Sequence, residues 1–172
     1  MGLDSVELVI DIENYFHISI PDIEAEKITA IKLMVDCVAT HLNISNNNTD
    51  LRELIFQKLK DALLTLQIES SQIKLSDSVS TFISVNDKNF FLNLENNIFL
   101  KVPETNISSD LTFEKLADAI CMSNYDFLID ENNITSTHQI YIAVSGITVN
   151  KAGIEEYEVK LHKYFTDDYG IN

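Results

Sequence analysis

The first 22 residues restrict the fold more than any other stretch, since they join a helix start, an amphipathic helix and a proline stop. Asp4 followed three residues later by Glu7 is typical of a capping box, in which side-chain oxygens bind the free amides of a helix start. Pro21 ends the helical pattern. One side of this helix is predicted to pack through Val6, Val9, Ile10, Ile12 and Phe16, and the other is mostly acidic, with Asp4, Glu7, Asp11 and Asn14.

Ser5 lies on the first turn of this predicted helix, where unpaired amides and the helix dipole favour an anion. A phosphate esterified to its hydroxyl would be stabilised there. Gly2, Asp4, Ser5 and Val6 match a Gly-x-Asp-Ser-(Leu, Ile or Val) motif, and through it the chain resembles the acyl carrier protein family. The resemblance extends over residues 2–42, which look like the last three helices of a carrier.

The resemblance implies a function and a set of site residues. Ser5 would carry a covalent phosphopantetheine arm that holds acyl groups as thioesters, and Asp4 would cap and orient the helix start. Glu7, Asp11 and Glu13 would dock basic surfaces of partners. Those partners are a phosphopantetheinyl transferase and the acyl-transferring enzymes of fatty acid or polyketide biosynthesis. The resemblance implies no catalytic residue, so the protein is not expected to be an enzyme.

The spacing between Ser5 and Pro21 leaves two alternatives open. The two residues are 16 positions apart, whereas family members have three more residues between serine and proline. Three residues correspond to about 4.5 Å of helix rise. Either the helix is one turn shorter in this chain, or residues 4–8 match a later part of the family's helix and Met1 or Gly2 occupies the serine position.

Residues 50–124 resemble a second, degenerate carrier unit. A capping pattern opens a helix at residue 50, residues 91–104 repeat the layout of residues 10–22, and residues 111–120 repeat the following helix. The residue 16 positions before Pro103 is Asp87, whose carboxylate cannot receive the arm. At the family's longer spacing the unit offers Ser84, which lacks the preceding aspartate of the motif.

The C-terminal segment resembles the part of a carrier that residues 1–48 lack. Residues 139–149 look like a carrier's first helix, residues 154–161 like its Val-Lys-Leu loop, and residues 165–172 like the approach to the serine. We therefore expect an all-α fold of two acyl-carrier-like helical bundles, the first formed by residues 1–48 with 137–172, and residues 125–136 as a linker. The closing segment would come from the same chain or be exchanged in a dimer. Since Ile, Tyr, Val and Thr favour strands, a β-strand over 139–149 is the alternative.

The composition favours a helical, acidic protein. The chain has 12 basic and 27 acidic residues, a net charge of −15, and only 4 Gly and 2 Pro. This charge disfavours binding to nucleic acid and favours basic protein partners. No apolar run approaches the roughly 20 residues of a membrane span, so we expect a cytoplasmic protein. Cys37 and Cys121 are predicted to be buried in helices. His17, His41, His138 and His162 show no metal-ligand spacing with one another or with the cysteines, which predicts no metal site.

A function of a different class is a helical interaction module that has the carrier fold and its acidic docking faces but has lost the arm. The spacing at Ser5 and the presence of Asp87 both favour this alternative. An unrelated all-helical protein is a third interpretation.

Overall fold

The computed structural model describes residues 3–83 and 89–171, with side chains from Ser5 onward. Within these residues the regular structure is helical and no strand is present, so the predicted all-α class is confirmed. The α-helices of the described chain are α1 Leu3–Phe16, α2 Asp22–Ala25, α3 Ile31–His41, α4 Asp50–Thr65, α5 Phe90–Ile98, α6 Phe113–Ser123, α7 Tyr125–Leu128, α8 Thr137–Ala152 and α9 Phe165–Tyr169.

The chain divides into two compact units. The first contains Met1–Thr49 and Tyr125–Asn172, and the second contains Asp50–Asn124. Residues 125–136, interpreted from the sequence as a linker, contain α7 and group with the first unit. The carrier-like character of the two units stays a prediction.

Helix α8 forms the centre of the first unit, where it contacts α1 and α3 of the same chain. Residues 139–149 are helical, so the strand alternative for them is wrong. The Ser136 hydroxyl accepts a hydrogen bond from the Gln139 amide at the start of α8, and Gly153, with φ of 65°, ends it. These end signals and burial on nearly every side override the strand preference of its β-branched residues. The buried positions are His138, Ile140, Ile142, Ala143, Val144, Ser145, Gly146, Ile147 and Thr148.

Helix α1 packs through a narrower face than the sequence predicts. Its buried residues are Leu8, Val9, Ile12 and Phe16, whereas Val6 and Ile10 are 40% and 46% exposed. The predicted apolar side is therefore correct at Val9, Ile12 and Phe16 and wrong at Val6 and Ile10, because the packed face of α1 is turned toward Leu8. The helix already includes Leu3, so Asp4 lies inside its first turn and is not the capping residue before it.

The segment before α3 explains why this helix begins at Ile31. In the sequence, Thr29 is a typical capping residue, and it precedes apolar residues at helical spacing, which predicts a helix over residues 30–42. Those apolar residues are Ile31, Met34, Val35, Val38 and Leu42. In the structure Ala30 is extended, with φ of −145°, and forms an isolated antiparallel bridge with Tyr164. This pairing joins the segment before α9 to the segment before α3. It also holds Ala30 in an extended conformation, so α3 begins at Ile31.

The second unit is built on contacts of α4 with α5 and α6. Arg52 of α4 ties it to α6, since its guanidinium donates two hydrogen bonds to Asp118, at 2.8 and 2.7 Å, and one to Glu114, at 2.6 Å. A planar guanidinium matches a carboxylate in this two-point geometry. The side chains of Arg52 and Asp118 are mostly buried, so the pair fixes how the two helices face each other.

The two units contain the same pair of backbone connections. The long helix is α8 in the first unit and α4 in the second. In each unit, an amide from the segment after this helix binds the carbonyl two residues before another helix, which is α3 in the first unit and α6 in the second. The second residue of α3 or α6 donates back to the same segment. The bonds of the first unit are Phe165 N to Thr29 O (2.9 Å) and Lys32 N to Leu161 O (2.9 Å). Those of the second are Val79 N to Leu111 O (2.8 Å) and Glu114 N to Leu75 O (2.8 Å).

The turns after α1 and α5 also match. Glu13 accepts a hydrogen bond from the Ile20 amide at 2.6 Å, and Glu95 accepts one from the Val102 amide at 2.9 Å. The residue after each helix is left-handed, with φ of 52° at His17 and 57° at Phe99. The paired residues are 82 positions apart in each case: Glu13 with Glu95, Ile20 with Val102, and His17 with Phe99. The two units therefore share a local architecture, built from a continuous segment in one and from both chain ends in the other.

Two isoleucines on α1 test the packing of the first unit. Ile12 is fully buried and Ile10 is 46% exposed. We expect Ile12→Ala to lower the free energy of unfolding by about 2–5 kcal/mol, because it leaves a cavity. Ile10→Ala should change it by about 0.5 kcal/mol or less. Urea unfolding followed by circular dichroism measures both. Equal effects of the two substitutions would contradict the assignment of the packed face.

Candidate functional site

The candidate attachment residue, Ser5, lies near the N-terminal end of α1. It is the third residue of the helix, and its side chain is partly exposed. The N-terminal end of a helix carries a partial positive charge, and its effect is confined to the first turn. Ser5 lies within that turn, so an anion on its side chain would be favoured. Asp4 lies in the same turn. The other positions compared from the sequence, Met1, Gly2, Ser84 and Asp87, lie outside the described residues.

Two of the predicted docking residues, Glu7 and Asp11, lie together on α1 and share one cation of the first unit. The Lys151 Nζ atom at the end of α8 lies 2.6 Å from Glu7 Oε2 and 3.4 Å from Asp11 Oδ2. The hydrogen bond to Glu7 raises the pKa of the Lys151 ammonium. Each carboxylate side chain is 48% exposed, so both still face solvent. A basic partner would therefore meet an acidic face that one lysine already neutralises in part.

Glu13, the third predicted docking residue, is placed differently. Its carboxylate accepts the hydrogen bond from the Ile20 amide in a partly buried position. It thus closes the turn between α1 and Pro21. Glu7 and Asp11 are brought together by the structure, whereas the carboxylate of Glu13 is bound to its own backbone turn.

A cavity of about 330 Å³ borders the acidic face of α1. Tyr15 lines it, and burial raises the pKa of the Tyr15 hydroxyl, with a further contribution from Tyr125. Within the described part of the chain the Tyr15 hydroxyl has no hydrogen-bond partner. Most of the side chains that line this cavity carry polar groups, so it is suited to water or a small polar molecule. Its lining is Asp11, Asn14, Tyr15, Tyr125, Ile147, Asn150 and Lys151.

A second group of chemically capable side chains lies on α2 and α3. His41 Nε2 is 2.9 Å from Glu24 Oε2, and Cys37 Sγ is 3.9 Å from the same oxygen. The three ligand atoms lie within 4.8 Å of one another. From the sequence, no metal-ligand spacing between histidines and cysteines is predicted, but Cys37 and His41 are four residues apart and share one helix face, a signal that this prediction missed. Glu24 is distant in sequence and joins them only through the packing of α2.

The two cysteines differ in their surroundings. Both are free thiols, Cys37 half-buried and Cys121 fully buried in α6. Burial raises the pKa of both thiols, and the Glu24 carboxylate raises that of Cys37 further. The prediction of a buried small apolar side chain is thus confirmed for Cys121, whereas Cys37 is only half-buried and lines a surface cavity with Glu24 and His41.

No protein-family model matches the chain, and no solved structure matches it significantly. The family resemblance therefore rests on the residues of the chain itself. None of the helices in the described residues is long and apolar enough to cross a bilayer.

The role of Glu13 can be tested by removing its carboxylate. We expect Glu13→Ala to lower the free energy of unfolding by about 1–3 kcal/mol, because the partly buried Ile20 amide loses a charged acceptor. Glu26→Ala, at an exposed position of the next turn, is the control and should change it by about 0.5 kcal/mol or less. Urea unfolding provides the comparison, and an unchanged stability of Glu13→Ala would leave Glu13 as a surface residue.

Proposed function

We propose that the protein is an acyl-carrier-like protein that holds acyl groups as thioesters on a phosphopantetheine arm attached to Ser5. The placement of Ser5 carries this proposal, since it lies partly exposed in the first turn of a helix with an acidic surface. A transferase that uses coenzyme A would esterify the Ser5 hydroxyl. The resulting phosphate would lie where the helix dipole favours negative charge.

In this proposal the protein performs no bond chemistry of its own. The thiol of the arm carries the acyl group, and the protein presents the arm to partner enzymes of fatty acid or polyketide biosynthesis. Asp4 and Ser5 belong to the attachment turn. A cytoplasmic location, expected from the sequence, is part of the same proposal.

The exposed surface of α1 supports docking by charge and by apolar contact. Glu7 and Asp11 face solvent on one side, and the exposed side chains of Val6 and Ile10 are on the same helix. A partner with a basic surface and an apolar contact residue would complement this combination. Because these charges are exposed, salt should weaken such docking.

Intact mass spectrometry tests the attachment. We expect the full chain, incubated with coenzyme A, Mg²⁺ and a broad-specificity phosphopantetheinyl transferase, to gain one phosphopantetheine adduct. Ser5→Ala should lose it completely, because the attacking hydroxyl is removed. Ser45→Ala, at an exposed position of the same unit, is the matched control and should keep the adduct.

The outcomes separate the candidate assignments. An adduct that persists in Ser5→Ala would contradict attachment at Ser5, and Ser84→Ala would then identify the other serine. A folded protein that gains no adduct would favour the second function, a helical interaction module that has lost the arm. One observation favours that second function now: the offset of 82 positions that relates the two units pairs Ser5 with Asp87, a residue that cannot carry the arm.

A further inference from the structure

We propose that Glu24, Cys37 and His41 form a zinc-binding site on the first unit, separate from the residues around Ser5. Each of the three offers one ligand atom, and zinc sites in proteins are built from these ligand types. The site is independent of the proposed carrier function, since it uses α2 and α3 and none of the docking residues of α1.

The distances between the ligand atoms fit a zinc ion. Bonds of about 2.3 Å to sulfur and about 2.0–2.2 Å to nitrogen and oxygen place tetrahedral ligands roughly 3.3–3.6 Å apart. His41 Nε2 and Glu24 Oε2 are 2.9 Å apart, and Cys37 Sγ and Glu24 Oε2 are 3.9 Å apart. The sulfur of Cys37 and the imidazole nitrogen of His41 lie within 4.8 Å of each other. Rotations of the exposed Glu24 and His41 side chains and of the half-buried Cys37 would therefore admit the ion, which would replace the hydrogen bond between His41 and Glu24.

The elements that hold the three side chains are fixed by packing. Cys37 and His41 are four residues apart on one face of α3, and Met34 and Val38 on the adjacent side of the helix are buried in the core. Glu24 is held by α2, where Ala25 is buried and the Glu24 amide binds the Pro21 carbonyl at 2.8 Å. Ligands on packed helices keep their geometry better than ligands on loops.

The surroundings leave room for the ion and for a further ligand. The side chains line a cavity of about 280 Å³ that also contains Lys27, Asp36 and Thr40. Asp36 is paired with Lys32 at 2.6 Å, so the Cys37 thiolate and the Glu24 carboxylate supply the negative charge. With three protein ligands, a fourth position stays open for water, as in zinc sites that bind substrates.

The sulfur ligand selects the kind of metal. Magnesium and calcium prefer oxygen ligands, whereas a thiolate with an imidazole favours zinc and similar divalent ions. Burial and the neighbouring Glu24 carboxylate raise the pKa of the Cys37 thiol, so it is protonated without the metal. Zinc binding would release this proton to solvent, and the ion would form the bond to sulfur in its place.

Zinc titration of the reduced full chain tests this site. We expect one equivalent to bind, and cobalt in its place to show a thiolate-to-metal charge-transfer band. Cys37→Ser should abolish the band, and Cys37→Ser, His41→Gln and Glu24→Gln should each weaken zinc binding at least about tenfold. His17→Gln is the matched control, because His17 lies 3.3 Å from Glu131 in a histidine–glutamate pair of the same unit. It should leave zinc affinity unchanged.

A thiol reagent gives a second readout. Zinc should slow the reaction of the Cys37 thiol with the reagent. In the unfolded protein both cysteines react, so two modified thiols there confirm that the chain is fully reduced. Zinc affinity should fall as the pH is lowered, since protons compete with the ion for the Cys37 thiolate. The charged and titratable groups that line the same cavity are Glu24, Lys27, Asp36 and His41. A folded chain that binds no zinc, or one whose single equivalent and cobalt band survive Cys37→Ser, would overturn the site.

Discussion

The burial of α8 is the interaction on which the first unit depends. This helix is buried on nearly every side. It comes from the C-terminal part of the chain, whereas α1 and α3, which contact it, come from the N-terminal part. A helix of this kind is stable only inside a core. Its packing therefore brings residues more than 100 positions apart into one unit, and it places Lys151 beside the acidic side chains of α1. The packing of α8 against α1 therefore also determines how far the acidic docking residues Glu7 and Asp11 are neutralised.

The matching hydrogen bonds of the two units show how a small set of backbone connections defines the architecture. A glutamate in each unit binds a backbone amide in the turn after a left-handed helix end. The segment after α8 is joined to α3, and the segment after α4 to α6, through the same pair of backbone bonds. These bonds satisfy backbone groups that would otherwise be buried without partners. The bonds between loop and helix use backbone atoms alone, and the turn bonds require only a glutamate at the matching position, so neither kind depends on the side chains at the positions of Ser5 and Asp87. The shared architecture thus does not require a shared surface function.

The first unit offers two chemically distinct surfaces. The N-terminal end of α1 combines a hydroxyl, acidic side chains and exposed apolar residues, which suits attachment and docking. The cavity between α2 and α3 instead brings together a thiol, an imidazole and a carboxylate, which suits a borderline-soft metal ion. Neither group requires the other, and their separation on different helices allows each to be changed alone.

The sequence by itself determined the helical class, the position of α1 and most of the buried face of α3, because helix signals and apolar spacing are local properties. Ile31, Met34, Val35 and Val38 are buried as that spacing predicts. Only the tertiary structure decided the rest. The β-branched residues of α8 are helical because burial outweighs strand preference, and Val6 and Ile10 are exposed because the packed face of α1 is turned toward Leu8. Glu24 reaches Cys37 and His41 because α2 packs beside α3, a contact between distant residues that no local pattern encodes.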